Sequence, residues 1–534
     1  MLKFIFNSIC IVLFSLTTSL SQSLPFQVTI EPLTISNVGG LQSFAFGQHD
    51  GKWLIVGGRL DGLHRRQPFA SFDIAGNNNQ LIVIDPLSQT KWSALIDTLP
   101  TAIKEQLSST NMEFHQDGDF LYLVGGYGYN YATASRMTFN QFTAIDVPQI
   151  IYAVINNAPL SPFIRQVSDL KFAVTGGHLK KINQTYYLIG GNKFDGDYNP
   201  MGHATYTQQY TNAIRKFDLN DDGNNLIITH YPEVIDSVNL HRRDYNAVQQ
   251  ILPSGEEAIS VFSGVFQPNI DLPYLNTVLI DSSSYFVNNN FQQHYNHYHC
   301  ATLPVYSEVS KQMHTVFFGG IAQFYDSLGI MVQDNNVPFV KTVAMVSRDS
   351  LGSMAEYKMP IEMPGYFGAS SEFIPVLSNA HFNNEVLKLD DLVFDTTLVG
   401  YIYGGINSSA ANIFFTNNGT QSTASSQIYK VSIINRIQTG LATNVSTDNF
   451  LIDIYPNPNT GEFKIKINLK KMDVLKLNIY HLDGRLIKTT TLRDLTIGEN
   501  NIDVNLKDGI KSSSYLIKID SPTFSLQRII IVED

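Results

Sequence analysis

Cysteine is almost absent from this 534-residue chain, which has only Cys10 and Cys300. Cys10 lies in an apolar N-terminal stretch that reads as a removable export signal. One cysteine then remains, and no intramolecular disulfide can form. Tryptophan is equally scarce, at two residues, and charged residues make up only 16%. A net charge of −11 argues against nucleic acid or an anionic membrane as the main partner, because both reward basic patches. Also missing are a phosphate loop, a Ser-Gly nucleophile elbow and a His-Glu zinc helix. With no legible catalytic set, a non-enzymatic role is expected. What the chain has in quantity is apolar and aromatic: 43% apolar residues, with 26 Tyr and 33 Phe, both strand formers. Its length exceeds one ordinary core, so several domains or a repeat array are expected.

Six apolar runs end in a pair of small residues, at 53–58, 120–126, 186–191, 258–264, 315–320 and 401–405. Five of these pairs are Gly-Gly, and the fourth is Ser263-Gly264. The pairs recur at spacings from 56 residues (Gly264 to Gly320) to 85 (Gly320 to Gly405). Such self-similarity marks a repeat architecture. An earlier strand-like stretch precedes each pair (43–47, 112–115, 172–176, 246–250, 301–306, 372–377). A third follows it (80–85, 141–147, 213–219, 277–281, 343–347, 428–433), and Trp92 or Tyr357 stands near the start of a fourth. Each repeat therefore reads as one antiparallel sheet that must cover its neighbours' faces. Runs such as WLIV and YYLI are apolar on both faces, as strands pressed between sheets must be. Glycine at the strand end permits positive φ and close backbone approach. The pattern resembles the kelch repeat over roughly residues 25–440, and the resemblance implies a six-bladed kelch-like β-propeller. The last repeat runs out before its fourth strand. Residues 26–35 offer an unattached strand that is expected to complete it and remove an open edge. The competing arrangement is two packed β-sandwiches.

At the N-terminus, Lys3 precedes an apolar stretch from Phe4 to about Phe14, and Ser19-Leu20-Ser21 suits cleavage. Residues 1–21 are expected to be a signal peptide, too short to span a membrane, and the mature chain is expected to have no transmembrane segment. The propeller is expected over 22–440 and a polar linker over 441–450. Residues 451–534 read as a small β-sandwich, with strands near 454–467, 477–492, 502–509, 515–519 and 528–532 parted by turn residues. Three features of this segment stand out: Tyr455-Pro456-Asn457-Pro458 with Gly461, Gly484-Arg485-Leu486, and a closing strand ending in Val532. Together they resemble the type A C-terminal sorting domain of the bacterial type IX secretion system. One departure is the Ile-Lys-Ser-Ser-Ser insertion between Gly509 and Tyr515. The resemblance implies the secretion machinery as a partner, and a protein secreted from, or anchored on the surface of, a Gram-negative bacterium. The expected fold class is thus all-β, a six-bladed kelch-like β-propeller followed by a C-terminal β-sandwich.

If strands alternate in direction, the loops after each small-residue pair crowd one face with the segments leading into each first strand. The longest are 59–79, 192–211, 321–341 and 406–427, which carry Tyr198, His203, Tyr206, Phe324, Tyr325 and Phe414. Binding belongs on such loops. His241-Arg242-Arg243-Asp244-Tyr245 leads into the fourth repeat, and Arg243 best matches the kelch position facing the binding surface. Paired guanidinium groups suit a carboxylate or an acidic sugar. Arg65 and Arg66 lie in a loop of the same set. The bland alternative is a solvated loop or an Asp–Arg pair. His294, His297 and His299 stand beside Cys300, and His297 with His299 could hold a metal if they point the same way. Asp218, Asn220 and Asp222 match the first half of a calcium loop, but Thr229 stands where glutamate is needed, and an Asp-Gly hairpin explains the same residues. No cofactor is expected, with calcium the alternative. The expected function is a secreted or surface protein that binds a protein or glycan. The rival is a carbohydrate-active kelch-type enzyme: an epimerase or mutarotase using Arg242, Arg243 and Glu372, or a copper oxidase built on a Cys300–Tyr crosslink.

Overall fold

The computed structural model describes residues 24–67, 70–199, 201, 205–378, 380–382, 384–392, 396–435, 452–469, 474–481, 486–493, 495–506, 511–520 and 525–533. The expected signal peptide and linker, His203, Gly484, Arg485 and Gly509 lie outside them. The chain divides into two units, Met1–Ile437 and Gln438–Asp534.

Among the described residues, the first unit contains six sheets built on an antiparallel path of four strands, in chain order in the first five. The first sheet is Ala45–His49, Lys52–Val56, Gln80–Asp85 and Thr90–Leu95, and the second is Glu113–Asp117, Phe120–Val124, Gln141–Asp146 and Ile164–Ser168. The third is His178–Ile182, Thr185–Ile189, Ala213–Asp221 and Leu226–His230, and the fourth is Asn246–Ile251, Glu257–Phe262, Thr277–Ile280 and Tyr285–Asn288. The fifth is Thr302–Ser307, Gln312–Phe318, Thr342–Arg348 and Met354–Glu362. The sixth takes Ser371–Pro375, Thr396–Gly404 and Ile428–Asn435 from its own repeat and Phe26–Leu33 from the N-terminal end. Phe26 pairs with Asn435 and Leu33 with Ile428, so the expected closing strand is in place.

Period-two alternation gives each second strand two apolar faces. Leu54 and Val56 pack in a cluster with Leu121 and Leu123 of the second sheet. Trp53 and Ile55, on the opposite face, pack with Tyr401 and Tyr403 of the sixth. Further clusters join the second sheet to the third, the third to the fourth, the fourth to the fifth and the fifth to the sixth. Every sheet is covered on both faces, and each large buried side chain contributes roughly 1.5–3 kcal/mol.

Two circuits of backbone hydrogen bonds run through all six sheets and close. The second glycine of each pair donates its N–H to the chain leading into the next sheet: Gly58 to Ser109 (2.9 Å), Gly126 to Val174 (2.9 Å), Gly191 to Arg242 (2.8 Å), Gly264 to His297 (3.1 Å), Gly320 to Phe367 (2.9 Å) and Gly405 to Leu41 (2.9 Å). This explains the repeated pair. Gly125 and Gly126 both have positive φ, and a Cβ on Gly125 would overlap the Val174 carbonyl that Gly126 binds. Ser263 takes the first position of the fourth pair at φ 51°, and its hydroxyl donates to the Tyr274 carbonyl at 2.7 Å.

The second circuit lies just before the first strands. Asn111 N–H donates to Ser43 O (3.2 Å), Gly176 to Asn111 (3.3 Å), Asp244 to Gly176 (2.9 Å), His299 to Asp244 (2.9 Å), Ser370 to His299 (2.8 Å) and Ser43 to Ser370 (3.1 Å). Six donors and six acceptors therefore satisfy one another around the axis, as backbone groups removed from bulk water must.

Three features depart from the sequence reading. The stretch 172–176 is not a strand: a short 3-10 helix, Leu170–Phe172, precedes the circuit, and the first strand of the third sheet is the polar His178–Ile182. A helix, Val147–Asn156, follows the second sheet's third strand, capped by Asp146 accepting from Gln149 N–H (3.1 Å). Its Ile150, Ile151 and Val154 enter the cluster between the first and second sheets. Finally, Leu387–Lys388 adds a parallel strand beside Val305–Tyr306 at the inner edge of the fifth sheet.

In the second unit, a three-stranded sheet (Ile452–Tyr455, Glu462–Leu469, Gly498–Asn505) and a four-stranded sheet (Leu486–Leu492, Leu475–His481, Ser513–Asp520, Ser525–Val532) share one apolar cluster. Ile465 and Ile479 are fully buried in it. No helix among the described residues is long and apolar enough to cross a membrane.

Candidate functional site

Four of the loops after the small-residue pairs fold into hairpins, including Asn192–Gly196 with Tyr206–Tyr210 and Phe324–Ser327 with Ile330–Gln333. Aromatic rings from several loops meet edge to face or stacked: His64 with Tyr198 (4.6 Å), Phe72 with Tyr127 (5.4 Å), Tyr127 with Phe194 (5.3 Å) and Phe194 with Tyr206 (4.5 Å). Arg59 anchors this group through Asp61 (Nε to Oδ1, 2.7 Å) and lies 5.2 Å from the Phe72 ring. Burial lowers the His64 pKa to about 4, so the ring is a neutral aromatic at physiological pH.

Arg243 adjoins the same patch through Tyr210, which shares the strand Tyr206–Tyr210 with Tyr206. The guanidinium donates to the Tyr210 hydroxyl, sits 5.0 Å from the Phe266 ring, and pairs with Asp244 (Nε to Oδ2, 3.3 Å). Its side chain keeps 20% exposure. Tyr210 in turn stacks on His241 at 3.7 Å. The result is a cation framed by aromatic faces, with charge still available to a ligand.

Arg242, its neighbour, does not share this position. Its side chain is buried and donates to the carbonyls of Asn239 (2.6 Å), Ser263 (2.7 Å) and Asn276 (3.1 Å) and to Asn276 Oδ1 (2.6 Å), with Tyr274 at 4.0 Å. Consecutive residues of an extended segment point to opposite sides, so one arginine is spent on the scaffold. The paired guanidinium site and the Arg242–Arg243–Glu372 trio are therefore not assembled. Arg65 is exposed, and Arg66 donates to the Phe415 carbonyl at 3.2 Å.

The metal candidates are also separated. His297 is buried: its Nε2 contacts Gln293 O (2.9 Å), and its Nδ1 accepts from Gln323 N–H (3.0 Å). His299 turns instead to Glu372, at 3.1 Å. Both nitrogens of His297 are taken by backbone, so the two rings do not converge on an ion. Asp218 accepts from Thr185 Oγ1 (2.8 Å) and the Tyr231 hydroxyl (2.5 Å) within an extended strand, which also holds Asn220. Asp222 accepts from Asn224 and Asn225 N–H in the following turn. An extended strand does not wrap a cation, and these bonds suit the hairpin reading. Among the described residues, no group of three or more His, Cys, Asp or Glu could hold a metal. Cys300 is buried, and burial raises its thiol pKa to about 12.

A second feature lies on the axis, beyond the hydrogen-bond circuit. First strands from all six sheets line a cavity of about 110 Å³, with Phe46, Phe114, His178, Lys180, Asn246, His299, Thr302 and Glu372 among its walls. Asn384 and Glu385 reach it from the segment after Ser371–Pro375. The His178 and His299 rings stand 5.4 Å apart. Burial alone would lower the His299 pKa, but Glu372 outweighs it and raises it. Burial holds the His178 pKa well below its usual value, and its Nε2 donates to Tyr245 O at 2.7 Å. Burial lowers the Lys180 pKa, whereas Glu385 is largely exposed. Alongside, Glu113 accepts from Gly177 N–H at 2.8 Å while its other oxygen is buried without a partner, and burial raises its pKa to about 8.

Of these residues, sequence reasoning had named only His299 and Glu372. A usable signal existed in register: two positions beyond each circuit residue stand Ala45, Glu113, His178, Asn246, Ala301 and Glu372. Aligning the repeats on that point exposes the polar ones.

Residues 453–533 match the family of secretion-system C-terminal sorting domains, which indicates export through the type IX secretion system. No curated protein matches the chain by sequence. Two solved structures similar to it are that of YjhT (11% identity, 72% of this chain and 97% of that one, TM-score 0.40) and a copper complex of a fungal alcohol oxidase of the AA5 family (9% identity, 96% and 100%, TM-score 0.38). Likeness at this level carries no argument. The closed arrangement of sheets rests on this chain's own hydrogen bonds.

Proposed function

We propose that the chain is an exported, non-catalytic binding protein. Its first unit is a six-bladed kelch-like β-propeller whose loop face takes a glycan, with a protein as the less favoured ligand. The C-terminal β-sandwich serves as the sorting module that delivers it to the cell surface or medium. The observation that carries this reading is Arg243, partly exposed and framed by Tyr210 and Phe266 beside the ring cluster of His64, Tyr198 and Tyr206. Flat rings cover the apolar faces of sugars, and one guanidinium pairs bidentately with a carboxylate. A glycan carrying an acidic sugar satisfies both.

A glycan array on the mature full-length protein tests this. Arg243→Ala should weaken the strongest acidic hits about tenfold or more, the loss of one charged hydrogen-bonding partner. Unaltered binding in that variant overturns the site.

A further inference from the structure

We propose that the axial cavity is a second binding site, separate from the Arg243 face, for a small uncharged polyhydroxy molecule. The argument starts from side chains the fold leaves unspent. Lys180 makes no hydrogen bond or ion pair among the described residues, although it lines the cavity. His178 uses Nε2 on the Tyr245 carbonyl, which makes its Nδ1 an unprotonated acceptor without a partner among the described residues. Glu372 is nine-tenths buried and spends Oε1 on His299 at 3.1 Å, and no hydrogen bond among the described residues reaches its Oε2. Glu385 presents a second carboxyl from the segment after the sixth sheet's first strand. These groups, buried, half-buried or exposed at the rim, each keep a polar atom without a partner among the described residues and converge on one sheltered space, where a single ligand can satisfy them together.

The chemistry of that ligand follows from charge and shape. An anion would meet Glu372 and Glu385, and a cation would meet Lys180 and His299. A neutral molecule bearing several hydroxyls avoids both penalties, because each hydroxyl donates to a carboxylate or to His178 and accepts from Lys180. Phe46, Phe114 and Phe373 line the same space and offer apolar faces to C–H groups. The volume of about 110 Å³ is below the ~150 Å³ that admits a benzene ring, which excludes an oligosaccharide and favours the smallest polyols.

Calorimetric titration of the full-length mature protein with erythritol, ribose, myo-inositol and glucose tests the site, with glucuronate and glucosamine as charged counterparts. At least one neutral compound should bind and the charged ones should not. Lys180→Met and Glu385→Gln should each weaken that binding about tenfold or more while keeping the wild-type glycan-array profile. That profile also shows that the variants fold, and it separates this site from the Arg243 face. No binding by any neutral compound at 10 mM overturns the proposal, as water alone would then suffice for these groups. So does binding that both variants leave unchanged, or a preference for the charged compounds.

Discussion

The axis and the loop face of the first unit are built from different materials. Around the axis, main-chain groups do the joining: twelve N–H donors in two closed circuits link each sheet to the next. On the loop face, side chains do it: Arg59 on Asp61 and Phe72, Arg243 on Tyr210 and Asp244, and rings on rings. Backbone geometry admits few substitutes, so the axis demands glycine or left-handed residues at set positions. Side-chain contacts can be exchanged without disturbing the frame. Stability therefore resides at the axis and recognition on the face, as expected of loops carried by a rigid scaffold.

The sharpest way to break this contrast is to fill the glycine circuit. Gly125→Ala places a methyl group on the Val174 carbonyl at φ +61° and should cost about 3 kcal/mol or more, measured by denaturant unfolding. A loss below ~1 kcal/mol would show that the circuit is not what holds the sheets.

A smaller effect comes from Glu113, at 1% exposure. Burial raises its pKa from 4.5 to about 8, so between those values the folded state holds a proton that the unfolded state has released. Stability from this group is full below pH 4.5 and is lost as the pH rises through about 8. Glu113→Gln mimics the protonated form. It should make the decline in this range shallower and leave the protein roughly 1–3 kcal/mol more stable at pH 8. Melting curves across pH check this, and an unchanged slope refutes the assignment.

The smallest effect is expected on the loop face. Arg65 is exposed, and Arg65→Ala should shift stability by less than ~0.5 kcal/mol. A larger loss would place structural weight where the comparison puts none.

Legibility followed the same division. The small-residue pairs could be read because each satisfies a local demand, positive φ at a strand end. The closing strand at Phe26–Leu33 could be read because an apolar strand without a partner implies an edge elsewhere that needs covering. The third sheet's first strand was misplaced for a physical reason. Pattern reading favours apolar alternation and picked 172–176, whereas the true strand, His178–Ile182, faces a polar cavity and carries His178, Lys180 and Lys181. The helix Val147–Asn156 was missed although Asp146, Pro148 and Gln149 mark its start.

By itself, then, the sequence determined an all-β chain of six glycine-punctuated repeats with a sorting module behind them, because strand period and glycine conformation are local properties. Tertiary structure alone decided that Arg242 is consumed by carbonyls while Arg243 faces the loops. It alone turned His297 and His299 apart, and gathered His178, Lys180, Glu372 and Glu385 around one space. Those side chains come from segments up to about two hundred residues apart (His178 to Glu385), and only closure of the sheets about an axis brings them within reach of one another.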